Sequence, residues 1–231
     1  MTLPEWRVFP DADELVRALA DALCLEAAAA IAARGAFHLV LAGGSTPRVL
    51  YRTLAERQAG DANWHVWYGD ERCLPLDHPE RNSVMAESAW LSASRIPPEN
   101  RRPIPAEKGS QEAAALYAGW LAGVEDFDLV LLGIGEDGHT ASLFPEHDWG
   151  TEPGSPDVLF VQDAPKPPSE RVSLSAARLS RSQQIWFVIT GSGKRHALRR
   201  WAWHEALPVT AVQGRQQTIA WVDALAWPAD D

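Results

Sequence analysis

A histidine in a glycine-rich loop is the residue of this sequence best suited to proton transfer. Segment 133–145 reads GIGEDGHTASLFP, contains Asp137 and His139, and follows the apolar run FDLVLL. Histidine exchanges a proton near neutral pH, and a neighbouring carboxylate can accept one of its ring N–H groups. Two interpretations are open at this point. His139 is an acid/base group supported by Asp137, or it is a turn residue that closes the loop.

A second glycine-rich segment, GGSTP, has the composition of an anion-binding turn. Gly43, Gly44, Ser45 and Thr46 precede Pro47, a residue suited to the first position of a helix. Free backbone N–H groups in such a turn and at a helix start attract anions, and a hydroxyl adds a further donor. The alternative is that Ser45 or Thr46 only caps the helix.

Three cations stand near polar turns and are candidates for holding a phosphate. Arg72 ends the triplet Asp70-Glu71-Arg72, Arg171 follows the proline-rich stretch APKPPSE, and Lys194 follows Gly-Ser-Gly in a chain with three lysines and eighteen arginines. Arginine offers a forked donor to phosphate and lysine a point charge. Two of them have a structural alternative: a solvated charge cluster around Arg72, and a solvent-facing cation at a helix start for Lys194. Arg171 on its own is a weak signal.

Four short apolar segments predict buried strands, and each is followed directly by a polar turn. They are residues 37–42, 64–69, 127–133 and 184–190. Stretches with the period of helices lie between them, and the first helix is expected over 11–33, with Asp11 as its cap and Gly35 after its end. This alternation predicts an α/β fold, a Rossmann-like domain with a mostly parallel sheet flanked by helices. Ligands bind at the carboxyl ends of such strands, so the turns should converge on one site.

The remaining segments carry weaker signals. Residues 158–164 and 171–175 predict two strands, residues 209–214 and 217–223 predict two more, and 70–82 reads as a polar loop. No repeat or linker is evident, so we expect a single domain over residues 1–231.

Composition argues against several classes of function. The net charge of −10 disfavours general nucleic-acid binding, and no apolar run approaches the roughly 20 residues that span a bilayer. Cys24 and Cys73 are too few for a disulfide framework or a thiolate metal site, which favours a cytoplasmic location. GIGEDG lacks the context of a dinucleotide fingerprint, the Lys194 turn lacks the residues of a P-loop, and no Gly-x-Ser-x-Gly occurs.

Taken together, these segments resemble the glucosamine-6-phosphate isomerase/6-phosphogluconolactonase family, and within it the lactonases, which hydrolyse 6-phosphogluconolactone in the pentose phosphate pathway. The matching segments follow the family order: 41–55, 67–83, 128–145, 164–175 and 189–198. The resemblance implies a sugar-phosphate isomerase type of fold, no metal, no organic cofactor, and a phosphosugar lactone as substrate. We expect no nucleic-acid or membrane partner, and a monomer or small homo-oligomer.

The resemblance also implies roles for His139, Asp70, Arg72, Arg171 and Lys194, while Asp137 and the turn Gly43–Thr46 remain candidates from the residues alone. The catalytic group is expected to contain His139 as acid/base, with Asp137 and Asp70. The substrate or phosphate is expected to contact Gly43, Gly44, Ser45, Thr46, Arg72, Arg171 and Lys194. Two alternatives stay open: a deaminase or isomerase of the same fold, and a non-catalytic sugar-phosphate sensor. The related deaminases carry a carboxylate five residues after the loop histidine, where this chain has Phe144, and a sensor would not need His139.

Overall fold

The computed structural model describes residues 2–152 and 154–228 as nine strands, six α-helices and short 3-10 turns. The strands are β1 (Glu5–Phe9), β2 (Phe37–Leu41), β3 (Trp64–Tyr68), β4 (Asp70–Arg72), β5 (Phe127–Leu132), β6 (Val158–Val161), β7 (Arg171–Leu174), β8 (Ser182–Ile189) and β9 (Gln217–Asp223). The helices are α1 (Ala12–Arg34), α2 (Ser45–Glu56), α3 (Asn82–Ala89), α4 (Ser110–Leu121), α5 (Ala176–Ser180) and α6 (Arg195–Ala202).

Six strands form one parallel sheet in the order β1-β9-β8-β5-β2-β3. Its central strands are buried almost throughout, as the uninterrupted apolar runs of the sequence predict for a sheet covered on both faces. Helix α1 packs against α2 and against β1, β2 and β9. The predicted α/β fold with a mostly parallel sheet flanked by helices is confirmed.

A smaller antiparallel sheet, in the order β4-β7-β6, lies beside the main one and packs against α4. In its register Arg72 stands opposite Arg171. The expectation of a polar loop from residue 70 is wrong for the first three residues. They form a strand because β7, about a hundred residues further along the chain, supplies the hydrogen-bonding partner.

The ends of α1 follow the sequence signals. The Asp11 carboxylate accepts the Glu14 backbone N–H at 2.8 Å, and Gly35 adopts the left-handed conformation at φ 81°. Helix α2 differs from the expectation, since it begins at Ser45 and Pro47 is its third residue rather than its first.

The predicted strand at 209–214 is wrong: Pro208–Ala211 form a 3-10 turn. Conversely, β1 is an edge strand that the sequence analysis missed, because its partly exposed residues carry no apolar run. Within the described part of the chain, no helix has the length and apolar character needed to cross a bilayer.

Candidate active site

The polar turns that follow β2, β3, β5 and β8 meet at one edge of the parallel sheet. These four strands are neighbours in the order β8-β5-β2-β3, so their carboxyl ends lie side by side. Together the turns line a cavity of about 340 Å³. The predicted convergence is confirmed: Gly43, Gly44, Ser45, Thr46, Asp70, Arg72, His139, Arg171 and Lys194 all line this cavity.

The imidazole of His139 is held by the neighbouring Asp137 and faces the cavity. Its Nδ1 lies 2.6 Å from Asp137 Oδ1, and its backbone N–H donates to the same oxygen at 3.2 Å. The side chain keeps about 22% of its surface exposed, and Nε2 has no hydrogen-bond partner among the described residues. When Nδ1–H donates to Asp137, the lone pair of Nε2 is free for a proton at the cavity wall. The carboxylate therefore selects the tautomer that an acid/base group needs.

Asp137 itself lies behind the imidazole rather than on the cavity wall. Burial raises its pKa, but the charge of His139 and two hydrogen bonds from it outweigh burial, so the pKa of Asp137 is lowered overall. Helix α6 braces this loop, because Arg200 Nη1 donates to the backbone carbonyl of Asp137 at 3.3 Å. Asp137 thus stays ionised and fixed in place beside the ring.

Two glycines allow the histidine loop to close on itself. Gly135 donates its backbone N–H to the His139 carbonyl at 2.8 Å, and a Cβ at Gly135 would lie 2.0 Å from His139 Nδ1. Gly138 has φ 91°, and a Cβ there would press on Leu207. The loop geometry therefore depends on both glycines.

Phe144 forms an apolar wall behind the imidazole. The ring is 2% exposed, and its centroid lies 5.0 Å from that of His139. The guanidinium carbon of Arg171 lies 5.9 Å from the same ring. The position five residues after the loop histidine is thus filled by an aromatic contact rather than by a titratable group.

The turn that leads into α2 lines the cavity with Gly43, Gly44, Ser45 and Thr46. Gly43 packs directly against Asn82, since a Cβ would lie 2.0 Å from the Asn82 amide oxygen, and Gly44 has φ 115°. Neither Ser45 nor Thr46 caps the helix, so the capping alternative is wrong. Thr46 Oγ1 instead lies 2.6 Å from Thr190 Oγ1, which ties α2 to the end of β8. The first N–H groups of α2 are left without a side-chain cap, as an anion site requires.

Asp70 is buried at the cavity floor with both carboxylate oxygens hydrogen-bonded. Oδ1 accepts from Asn82 Nδ2 at 3.0 Å, and Oδ2 accepts from Ser142 Oγ at 2.6 Å. Glu71 points away and accepts backbone N–H groups of Asn82 and Ser83 at the start of α3. Asp70 therefore connects the start of α3 to the histidine loop through its two oxygens.

Arg72 and Lys194 bring positive charge with donors still available. Arg72 donates Nη1 to the Glu80 carbonyl, while its buried Nε has no hydrogen-bond partner among the described residues. The Lys194 ammonium makes no hydrogen bond or ion pair within the described part of the chain. Burial lowers the pKa of Lys194; nearby Glu136 acts in the opposite direction, and Lys166 adds to the lowering. Half-buried cations that keep unused donors suit an incoming anion.

Arg171 is buried, and its guanidinium donates hydrogen bonds to the proline-rich loop. Nε donates to the Pro168 carbonyl at 3.1 Å, and Nη2 donates to the carbonyls of Lys166 and Pro167 at 3.0 and 3.3 Å. Burial lowers the pKa of Arg171, and the nearby carboxylate of Asp70 works against that change.

The sequence analysis missed several residues that line the cavity. Asn82 lies in a polar stretch and Thr190 ends an apolar strand segment, and neither position carries a distinguishing local pattern. Lys166 also lines the cavity, and the scarcity of lysine could have identified it, since two of the three lysines in the chain meet here. Among the described residues, no cluster of three or more histidine, cysteine or acidic side chains could hold a metal ion.

Comparison with known proteins extends the similarity over nearly the whole chain. The model of the family described as glucosamine-6-phosphate isomerases/6-phosphogluconolactonase matches residues 10–221. The 6-phosphogluconolactonase of Mycobacterium tuberculosis is 36% identical over 234 residues, covering 94% of each chain. The human 6-phosphogluconolactonase is 37% identical and covers 93% of this chain and 88% of its own. The crystal structure of 6-phosphogluconolactonase from Thermotoga maritima superimposes with a TM-score of 0.87 at 26% identity, covering 95% of this chain and 99% of that one.

Proposed function

The chain belongs to the glucosamine-6-phosphate isomerase/6-phosphogluconolactonase family, and from this premise we propose that it hydrolyses 6-phospho-D-glucono-1,5-lactone to 6-phosphogluconate in the oxidative pentose phosphate pathway. The observation that carries the proposal is the pairing of an oriented imidazole with a cationic cavity wall. An ester carbonyl needs a base and fixed placement for hydrolysis. A phosphate needs local positive charge. The cavity offers both.

In this proposal the phosphate is held by Arg72, Arg171, Lys194 and the turn Gly43–Thr46. Arginine and lysine supply charge-assisted donors, and the uncapped start of α2 adds backbone N–H groups. Holding the distant phosphate fixes the lactone ring beside His139. Binding energy is thereby used for orientation at the reacting carbon.

His139 then acts as the acid/base. Neutral His139 accepts a proton at Nε2 from the water that attacks C1, and the resulting imidazolium donates that proton to the ring oxygen as the C1–O bond breaks. Asp137 orients the ring and stabilises the imidazolium through its 2.6 Å contact with Nδ1. Asp70 supports the site by holding Asn82 and Ser142. The products are the open-chain phosphogluconate and one proton released to solvent at neutral pH.

The deaminase alternative is disfavoured by the contacts of Phe144. Ring opening and amine chemistry in the related deaminases use a carboxylate at this position, whereas here a buried phenyl ring packs on His139. Lactone hydrolysis does not need that carboxylate, since the carbonyl is already electrophilic. Ammonia release from glucosamine 6-phosphate by the purified protein would favour the deaminase instead.

The test of the acid/base role is His139→Asn, assayed by base titration of acid release from freshly prepared 6-phosphogluconolactone. Asparagine can still hydrogen-bond Asp137 but has no group at the position of Nε2. General acid/base assistance is typically worth about 10²- to 10⁴-fold in rate, so we expect kcat to fall by at least about 100-fold.

His204→Asn is the matched control for the same chemical change. His204 is exposed and has φ 60°, a conformation that asparagine tolerates well. This variant should keep the parent rate. A His139→Asn enzyme within twofold of the parent would remove His139 from the mechanism.

We also propose that the chain is a single domain over residues 1–231 that works in the cytoplasm as a monomer or small homo-oligomer. Both cysteines are free. Burial, followed by the charge of Glu170, raises the pKa of Cys73 to about 11, so this thiol stays protonated and unreactive. Light scattering on the purified protein measures the oligomeric state directly.

A further inference from the structure

The proline-rich loop before β7 brings a further cation to the cavity wall. Lys166 lies on this loop and lines the same cavity as Arg72 and Lys194. The loop is mostly exposed to solvent, yet it closes on itself through the Ala164 N–H, which donates to the Ser169 carbonyl at 3.0 Å. The backbone of Lys166 is therefore held near the site, and its side chain is exposed to solvent at the cavity wall.

Arg171 is what fixes this loop to the body of the protein. Its buried guanidinium donates to three successive carbonyls, those of Lys166, Pro167 and Pro168, at 3.0 to 3.3 Å. Three charge-assisted hydrogen bonds from one planar group determine the path of the loop. A lysine at Arg171 could not reproduce that fork, because an ammonium has no planar pair of donors.

The charges around the cavity explain why a second lysine is useful there. Lys166 and Lys194 are close enough to repel each other, as the contribution of Lys166 to the lowered pKa of Lys194 indicates. Neither ammonium has a hydrogen bond or ion pair among the described residues. An anion placed between two like charges stabilises both, because its attraction to each offsets their mutual repulsion. A phosphate dianion carries enough charge to neutralise both.

We propose that Lys166 is a further phosphate-binding residue of this site and that Arg171 positions it by holding the loop; the proposal rests on the proposed function, in which the substrate carries a phosphate. Lys166 then contributes discrimination between a phosphorylated and an unphosphorylated ligand. Arg171 contributes through the loop in addition to its own charge.

The experiment is calorimetric titration of inorganic phosphate into the parent and Lys166→Met. Charge-assisted hydrogen bonds contribute a factor of about 10 to 150, and the exposed position of Lys166 places it at the low end, so we expect binding to weaken about tenfold. Lys166→Arg should retain most of the affinity. Lys108→Met is the matched control, since Lys108 is exposed and its ion-pair partner is Glu112, outside the cavity lining. Equal phosphate affinity in Lys166→Met and the parent overturns the proposal.

Arg171→Met in the parent and in the Lys166→Met background tests the positioning part. If Arg171 acts through the loop, its loss weakens binding less when Lys166 is already gone. If the two losses of affinity instead multiply in full, this part of the proposal is overturned. Phosphate binding is measured without turnover, so the outcome is independent of lactonase activity. A protein that binds phosphate through Lys166 but releases no acid from 6-phosphogluconolactone would contradict the proposed function alone.

Discussion

At the scale of the residue, the site depends on two glycines, because their missing side chains leave room for other groups. Gly135 leaves the space in which the His139 ring and the Asp137 carboxylate meet, and Gly43 leaves the space that Asn82 occupies. A side chain at either position would displace the groups that define the cavity. The pair His139–Asp137 is therefore specified together with its glycine, and the three should be treated as one functional unit.

Gly135→Ala tests this dependence. The new Cβ would lie 2.0 Å from His139 Nδ1 and 2.4 Å from Asp137 Oδ1, so the imidazole must move. A displacement of about 1 Å at a catalytic group can cost on the order of 100-fold in rate. We expect kcat for 6-phosphogluconolactone to fall by about that factor while phosphate affinity stays near that of the parent.

Gly119→Ala controls for the same substitution at a distance. Gly119 lies exposed on α4, and a Cβ added there would meet no atom within 4 Å, so the variant should keep the parent kcat. A parent-like kcat in Gly135→Ala would show that the loop can relax without loss of the imidazole geometry.

At the scale of the element, the two ends of the parallel strands β2 and β3 carry residues with different roles. The carboxyl ends of β2 and β3 lead into the cavity, whereas near their amino ends His38 and His65 stack with ring centroids 4.7 Å apart. His38 Nδ1 accepts from Trp67 Nε1 at 3.2 Å. These histidines belong to the packing between strands, and they bear on stability rather than on catalysis.

The contact between His38 and His65 predicts that the protein is less stable in mild acid. Burial, followed by repulsion from His65, lowers the pKa of His38 to about 4, whereas an unfolded histidine titrates near 6.5. Between these values the unfolded state binds the extra proton, so the free energy of unfolding decreases as the pH falls from about 6.5 to about 4. The slope for one proton is at most about 1.4 kcal/mol per pH unit, and it is smaller here because His38 is part-exposed.

Urea denaturation at pH 7 and pH 5 measures this effect. His38→Asn keeps an acceptor for Trp67 and cannot be protonated, so its stability difference between the two pH values should be smaller than that of the parent. His204→Asn should leave the parent difference intact. An unchanged pH dependence in His38→Asn would mean that other groups cause the acid sensitivity.

At the scale of the whole molecule, the cavity has the opposite sign to the protein around it. The chain carries a net charge of −10, yet the cavity is lined by Arg72, Lys166, Arg171 and Lys194 and, among the described lining residues, by Asp70 as its one acid. Local charge therefore dominates recognition there, because charges beyond roughly 10 Å are screened at physiological salt. Away from the cavity, Trp64 and Trp90 pack edge to face in the core.

The preference for a phosphorylated substrate tests the phosphate clamp, which is the set of cations Arg72, Arg171 and Lys194, as a unit. In Arg72→Met and in Lys194→Met we expect kcat/KM for 6-phosphogluconolactone to fall at least about tenfold, the value of one charge-assisted contact. Activity on unphosphorylated gluconolactone should change little, since that ligand does not engage the clamp. The measurement is the ratio of the two kcat/KM values.

Arg52→Met is the control for loss of an exposed arginine, as Arg52 lies on α2 and is not part of the cavity lining. The ratio should match the parent in this variant. Clamp variants that keep the parent ratio as well would exclude phosphate recognition by Arg72 and Lys194.

The sequence by itself determined the parallel sheet and the turns at the carboxyl ends of its strands, and it offered Asp137 as one partner for His139. These features are local: apolar runs predict buried strands, and His139 lies only two positions after Asp137 in the same glycine loop. Helix α1 was predicted with both ends because its cap and its terminal glycine are encoded within a few residues.

Only the tertiary structure decided how Arg72, Arg171 and Lys166 are arranged. Arg72 and Arg171 face each other in the small antiparallel sheet, whose strand β4 is three polar residues with no periodic signal. That strand forms because a distant segment offers hydrogen-bonding partners, and no local pattern encodes such a partner. The loop of Lys166 takes its position from the buried Arg171 guanidinium, and Arg171 is itself placed by the pairing of β7 with β4.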